Sequence, residues 1–200
     1  MSQTALIVID VQVDFCPGGA LAVTGGDDIV APVNKLMTQF ETVILTQDWH
    51  PAGHSSFASS HGQKAPMELI EMPYGTQVLW PDHCIQGSAG AAFHPALQTD
   101  RADLVIRKGF RPQIDSYSAF FENDQTTPTG LDGYLKARSI SKLIMVGLAT
   151  DFCVAYSAVD AAKLGYHVRV FQPACRAIDM DGSLVAACQT MRSAGVELEG

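Results

Sequence analysis

The feature that most constrains this chain is its rhythm, in which short, β-branched apolar runs alternate with longer segments of helical periodicity. The runs are Ala5 to Ile9, Thr42 to Thr46, Leu104 to Ile106, Leu143 to Val146 and His167 to Phe171, with a final short run at Val196 to Leu198. Apolar stretches of this length bounded by polar or Gly residues read as strands covered on both faces. Helical patterns occupy Asp27 to Phe40, Leu131 to Ala137, Asp151 to Leu164 and Gly182 to Ser193, and Gly165 follows the third where a left-handed residue ends a helix. Strands separated by helices pair in parallel through right-handed crossovers, with helices on both faces of the sheet. The expected fold is α/β, a three-layer α/β/α sandwich around a mostly parallel sheet of about six strands, in one domain over residues 1–200. Two stretches break the rhythm, 49–92, rich in Pro, Gly, His and Ser, and 109–130. Loops that long inside a compact domain are usually functional.

Open parallel sheets bind ligands beyond the carboxyl ends of their strands, near the point where strand order reverses. Strand ends are therefore the first places to look for chemistry. Asp10 ends the first strand, Asp48 the second and Lys108 the third, while Cys153 follows the fourth across a short turn and opens the next helix. These four side chains are expected to share one edge.

Composition removes several function classes. A formal net charge of −8 with 13 Lys and Arg spread along the chain does not suit a surface that neutralises nucleic-acid phosphates. No apolar run approaches the roughly 20 residues needed to cross a bilayer, and Ala5 to Ile9 lacks a cationic leader and a cleavage site. Five cysteines, odd in number, widely spaced and without a CxxC pair, disfavour a disulfide framework or a four-thiolate zinc site. A cytoplasmic, reducing location is expected, without nucleic-acid or membrane partners.

Cys153 lies in Gly147-Leu148-Ala149-Thr150-Asp151-Phe152-Cys153-Val154. At the first turn of a helix, unpaired N–H groups and the helix dipole favour a thiolate, and the same donors suit an oxyanion. A free cysteine is otherwise a small buried hydrophobe, the role assigned to Cys16, Cys175 and Cys188. Asp10, drawn toward the interior at the end of its strand, would have a raised pKa and could act as base for the thiol, or it could cap a turn. Lys108 could support both charges, although a lone lysine is by default a solvated one. In Asp48-Trp49-His50, residues two apart in extended chain point the same way, so a carboxylate and an imidazole can reach one cation such as Zn²⁺, Fe²⁺ or Mn²⁺. His83, in Trp80-Pro81-Asp82-His83-Cys84, is the best third ligand, with His54 or a nearby Ser in the next shell. His61, His94 and His167 are read as structural or surface groups.

These blocks resemble a known family. Asp10-Val11-Gln12-Val13-Asp14-Phe15, Gln47-Asp48-Trp49-His50-Pro51, Trp80-Pro81-Asp82-His83-Cys84, Lys108-Gly109, Asp115-Ser116-Tyr117-Ser118-Ala119-Phe120 and the Cys153 segment are similar, in order, to the motifs of nicotinamidases within the isochorismatase-like hydrolases. The resemblance implies a Cys153, Asp10 and Lys108 triad, and one divalent metal, zinc first and iron or manganese next, held by Asp48, His50 and His83 with waters. It also implies a non-proline cis peptide at Leu148-Ala149, directing the Ala149 N–H with that of Cys153 at an oxyanion. Phe15 and Trp80 match positions flanking the substrate ring, and Tyr117 belongs to the substrate-binding set. The implied activity is hydrolysis of nicotinamide, and of pyrazinamide, through a Cys thioester, in a monomer or homodimer. Alternatives are another amidohydrolase of the same superfamily, or a non-catalytic α/β binding module. The second has no reason to gather Asp10, Lys108 and Cys153 at one edge.

Overall fold

Six parallel strands form one sheet in the computed structural model, which describes residues 3–200. In chain order the strands are β1 (Gln3–Ile9), β2 (Thr42–Asp48), the separate hairpin β3 (Leu69–Met72) and β4 (Gly75–Val78), then β5 (Leu104–Lys108), β6 (Ile140–Leu148), β7 (His167–Arg176) and β8 (Glu197–Glu199). The sheet runs β5-β2-β1-β6-β7-β8, so order reverses between β1 and β6. That reversal opens a crevice beyond the carboxyl ends of those two strands. β1 sits centrally, pairing with β2 on one side and β6 on the other. Leu6, Ile7, Ile44 and Leu45 are fully buried, and each such side chain contributes roughly 1.5–3 kcal/mol of transfer free energy.

The helices are α1 (Val30–Met37), α2 (Leu131–Ala137), α3 (Ala155–Lys163) and α4 (Ser183–Ser193). They turn Val33 and Met37, Leu131 and Leu135, Ala158 and Ala161, and Ala187 and Met191 toward the core. The helix expected from Asp27 to Phe40 is shorter and begins with a 3-10 turn at Gly26–Ile29. Pro32 is tolerated there because its missing N–H falls in the first turn. The helix expected from Asp151 begins instead with a π turn at Thr150–Val154, continued by α3. The β3–β4 hairpin was not expected. Its strands are mostly exposed, which removes the apolar alternation that marks a strand in sequence.

Where β1 and β6 approach at the carboxyl edge, Gly147 has φ +123°, and an added Cβ would stand 2.1 Å from the Ile9 carbonyl oxygen. Only glycine lets the two strands close there. All five cysteines are free, and no helix among the described residues is long and apolar enough to cross a membrane.

Candidate active site

Three adjacent strand ends and the turn after β6 bring Asp10, Asp48, Lys108 and Cys153 together, all buried. Asp10 follows β1 with φ +48°, a left-handed conformation that Asp adopts more readily than bulkier residues. Thr46 of β2 fixes it twice: the hydroxyl donates to Oδ1 at 2.6 Å and accepts the Asp10 N–H at 3.1 Å. Lys108 Nζ lies 2.8 Å from Asp10 Oδ2, 2.9 Å from Asp48 Oδ1, 3.0 Å from the Ser116 carbonyl oxygen and 3.4 Å from Cys153 Sγ. The ion pair to Asp10 Oδ2 is not aligned as a hydrogen bond, and no described donor points at that oxygen. Apart from the Lys108 ion pair it is open to accept the neighbouring thiol proton.

Burial sets the protonation states. It raises Asp10 above the ordinary carboxylate range, with Asp48 adding to the rise and Lys108 opposing it. For Asp48, burial also pushes upward, but His50 and Lys108 outweigh it and hold the carboxyl well below its usual value. Burial would deprotonate Lys108, yet Asp10 and Asp48 keep it charged. Cys153 is raised well above an ordinary thiol by burial, Asp10 and Asp48, against the pull of Lys108. The thiolate expected from a helix N-terminus is therefore not the resting form, because desolvation exceeds the helix contribution of about 1 kcal/mol. A thiol in this setting needs a base, and Asp10 is the raised carboxyl next to it.

Asp48 also belongs to a second group. Ligand atoms of Asp48, His50 and His83 lie within 4.8 Å of one another, with Asp48 Oδ2 3.0 Å from His50 Nε2 and 3.3 Å from His83 Nε2. His50 Nδ1 donates to the Gly109 carbonyl oxygen at 2.8 Å, and His83 Nδ1 to that of Pro81 at 2.7 Å. Each carbonyl can only accept, so each imidazole keeps a proton on Nδ1 and directs Nε2 at Asp48. Against the effect of burial, the Asp48 carboxylate raises the His50 pKa, so that its Nε2 donates there until an ion displaces that proton. Two imidazole Nε2 atoms and a carboxylate converging in this way suit a divalent ion. Gly109 (φ +66°) lies against this group, where an added Cβ would be 2.4 Å from His50 Cε1. His54 is less suited as a ligand. Its Nδ1 accepts from Ser56, at 2.7 Å from the hydroxyl, and its Nε2 faces the Arg111 and Ile114 carbonyl oxygens at 2.9 and 3.1 Å. Its ring instead packs 4.4 Å from that of His50.

Between the two groups opens a cavity of about 340 Å³ including its mouth, lined by Phe15, Trp80, Tyr117, Phe152, Ala149 and Cys153 among others. Most of that volume is the mouth, and the enclosed space is narrow. Trp80 meets Phe152 edge-on at 4.9 Å, and Phe15 tilts over His83 at 5.5 Å. The Leu148-Ala149 peptide is cis.

The structure thus brings Asp10, Lys108, Cys153, Ala149, Phe15, Trp80, Tyr117, Asp48, His50 and His83 together at this edge. Sequence reasoning missed Gln12, whose amide donates to the Asp48 and Ala91 carbonyl oxygens at 2.9 Å and accepts the Asp48 N–H at 2.8 Å. It clamps the backbone of Asp48, and its place two residues after Asp10 was the available signal. Leu21 and Ile178, also lining the cavity, carry no local signal of a site.

Known proteins repeat this arrangement of sequence and fold. A nicotinamidase of Acinetobacter baylyi is 56% identical over 196 residues, covering 98% of this chain and 92% of that protein. A solved structure of an Acinetobacter baumanii nicotinamidase/pyrazinamidase superposes with a TM-score of 0.98 at 55% identity, covering 100% of this chain and 96% of that one. A Pyrococcus horikoshii pyrazinamidase solved in complex with zinc gives 0.79 at 32% identity, covering 98% of each chain. With residues 4–199 also matching the Isochorismatase domain family, the chain belongs to the isochorismatase family.

Proposed function

We propose that this chain is a metal-dependent nicotinamidase, which hydrolyses nicotinamide to nicotinate and ammonia through a thioester on Cys153 and accepts pyrazinamide as well. One observation carries the reading. A buried thiol, carboxylate and ammonium meet at the edge of a two-histidine, one-carboxylate donor group, in a chain closely similar to a nicotinamidase.

Phe15, Trp80 and Tyr117 line the cavity with aromatic faces suited to a flat aromatic amide, which they would hold away from water. Asp48, His50 and His83 would hold one divalent ion, zinc in preference to iron or manganese, and it supplies, when bound, a Lewis-acid anchor for a ring nitrogen. Asp10 removes the Cys153 proton, and Sγ bonds to the carboxamide carbon as the carbonyl π pair moves onto oxygen. The backbone N–H groups of Ala149 and Cys153 receive that oxyanion, and each such donor is typically worth roughly a hundredfold or more in turnover. As the carbonyl re-forms, the C–N bond breaks, and Asp10 returns its proton to the nitrogen, which leaves as ammonia. Asp10 then deprotonates a water that attacks the thioester. Sγ departs, the proton returns to it from Asp10, and the acid leaves as nicotinate after giving its own proton to solvent or to the ammonia. Lys108 stays charged throughout and balances Asp10 and the sulfur. The free thiols of such an enzyme belong in the cytosol.

The test is an ammonia-release assay on nicotinamide, with metal content measured on the same sample. Equal yields of ammonia and nicotinate from protein carrying about one ion per chain are expected. A metal-loaded sample that leaves nicotinamide intact would overturn the proposal.

A further inference from the structure

We infer that Gln77 is a positioning residue for the substrate cavity, acting through Tyr117 and Asp115; this rests on the nicotinamidase reading above. Gln77 belongs to β4, in a hairpin whose strands are mostly exposed, yet its side chain is fully buried. An amide is withdrawn from water at a cost unless every polar atom finds a partner. Here each one does. Nε2 lies 2.9 Å from Asp115 Oδ2, 2.8 Å from the Tyr117 hydroxyl oxygen and 2.7 Å from the Val78 carbonyl oxygen. Oε1 accepts from the Tyr74 hydroxyl and from Asn123 Nδ2, both at 3.2 Å.

The chemistry of these partners fixes which way the amide faces. A carboxylate and a carbonyl can only accept, so the nitrogen must point at Asp115 and Val78. Trp80 Nε1, also a donor only, reaches the same Tyr117 oxygen at 3.1 Å. The two N–H groups of Nε2 are shared among three acceptors, and the Tyr117 oxygen takes its share together with the Trp80 indole N–H from a separate element, without using the hydroxyl proton. They lock the Tyr117 ring edge-on to Trp80, 6.2 Å away, and to Phe152, 5.7 Å away. Asn123 closes the circuit by accepting the Tyr117 N–H at 3.0 Å and donating its own N–H to the Asp115 carbonyl oxygen at 2.8 Å.

Trp80, Tyr117 and Asp115 all line the cavity, so one glutamine ties the hairpin to the wall on which the substrate ring lies. Gln77 itself touches neither the thiol nor its base, and between Asp115 and Tyr117 the Ser116 carbonyl holds Lys108 through the backbone rather than through the Gln77 contacts. A wall that holds the ring serves ground state and transition state alike, so its loss raises KM and leaves kcat nearly unchanged.

The experiment compares Gln77→Met, which keeps length and removes every donor, with Tyr117→Phe and the double variant. In Gln77→Met, KM for nicotinamide should rise roughly tenfold or more with kcat within about threefold, and metal content should match the parent. Because both substitutions break the same contact, the double variant should be no worse than the worse single one. An unchanged KM, a loss confined to kcat, depleted metal or additive effects in the double variant would each overturn the inference. Should Gln77→Met fail to fold, Tyr117→Phe decides alone, and a parental KM there also overturns it. An active parent with an unaffected Gln77→Met sinks this inference only, whereas a parent that releases no ammonia sinks the nicotinamidase reading and this inference with it.

Discussion

Replacing Lys108 with Met removes the one ammonium that lies within 2.9 Å of both Asp10 and Asp48. Asp48 keeps His50 and His83 as partners, whereas Asp10 keeps only the Thr46 hydroxyl. Breaking a buried pair by deleting one partner typically costs about 3–5 kcal/mol, because the other charge is left without compensation. At about 2–4 °C per kcal/mol for a chain of this length, the melting temperature should fall by about 6–20 °C. The deficit should also depend on pH in a definite direction. Without Lys108, burial and Asp48 both raise Asp10 and no cation opposes them. The native state then holds a proton that the unfolded chain releases, so stability falls as pH rises toward the folded pKa. Calorimetry on chelated protein should therefore show a larger gap between variant and parent at about pH 8 than at about pH 5. A parental melting temperature at the higher pH, or a gap that widens on acidification, would refute this account of the buried charges.

Cys153→Ala should fold like the parent and release essentially no ammonia, since loss of the nucleophile in a coupled triad removes nearly all turnover; parental ammonia release with an unaltered circular dichroism spectrum would remove Cys153 from the mechanism. Gly109→Ala places a methyl group 2.4 Å from His50 Cε1 at φ +66°, so metal analysis should find depleted protein, and normal stoichiometry would contradict the packing argument. Chelation, or Asp48→Ala combined with His50→Ala, should abolish turnover, and added divalent ion should restore only the chelated parent. Full activity in verified metal-free protein would exclude the ion.

Much of the site was legible because its residues punctuate regular structure. Asp10, Asp48 and Lys108 stand at the ends of β1, β2 and β5, and the rule that parallel sheets bind at their carboxyl edge turns such positions into neighbours before any contact is known. Asp48 and His50 were readable as a pair because an extended chain repeats its direction every two residues. The β3–β4 hairpin and Gln77 escaped for the opposite reason. An exposed strand has no apolar alternation, and a glutamine buried by partners distant in sequence looks like any surface glutamine.

Local pattern thus determined the strands of the central sheet, the helices, the order of the motifs and the edge where chemistry would gather, since periodicity and strand termini are properties of short segments. Only the tertiary structure decided the protonation states and the ligand directions. Whether Cys153 rests as a thiol depends on how deeply the turn is buried and on Lys108, 45 positions away. Whether His50 offers Nε2 depends on the Gly109 carbonyl, 59 positions away. Desolvation and hydrogen-bond direction act through space over a few ångströms, and no sequence window contains those neighbours.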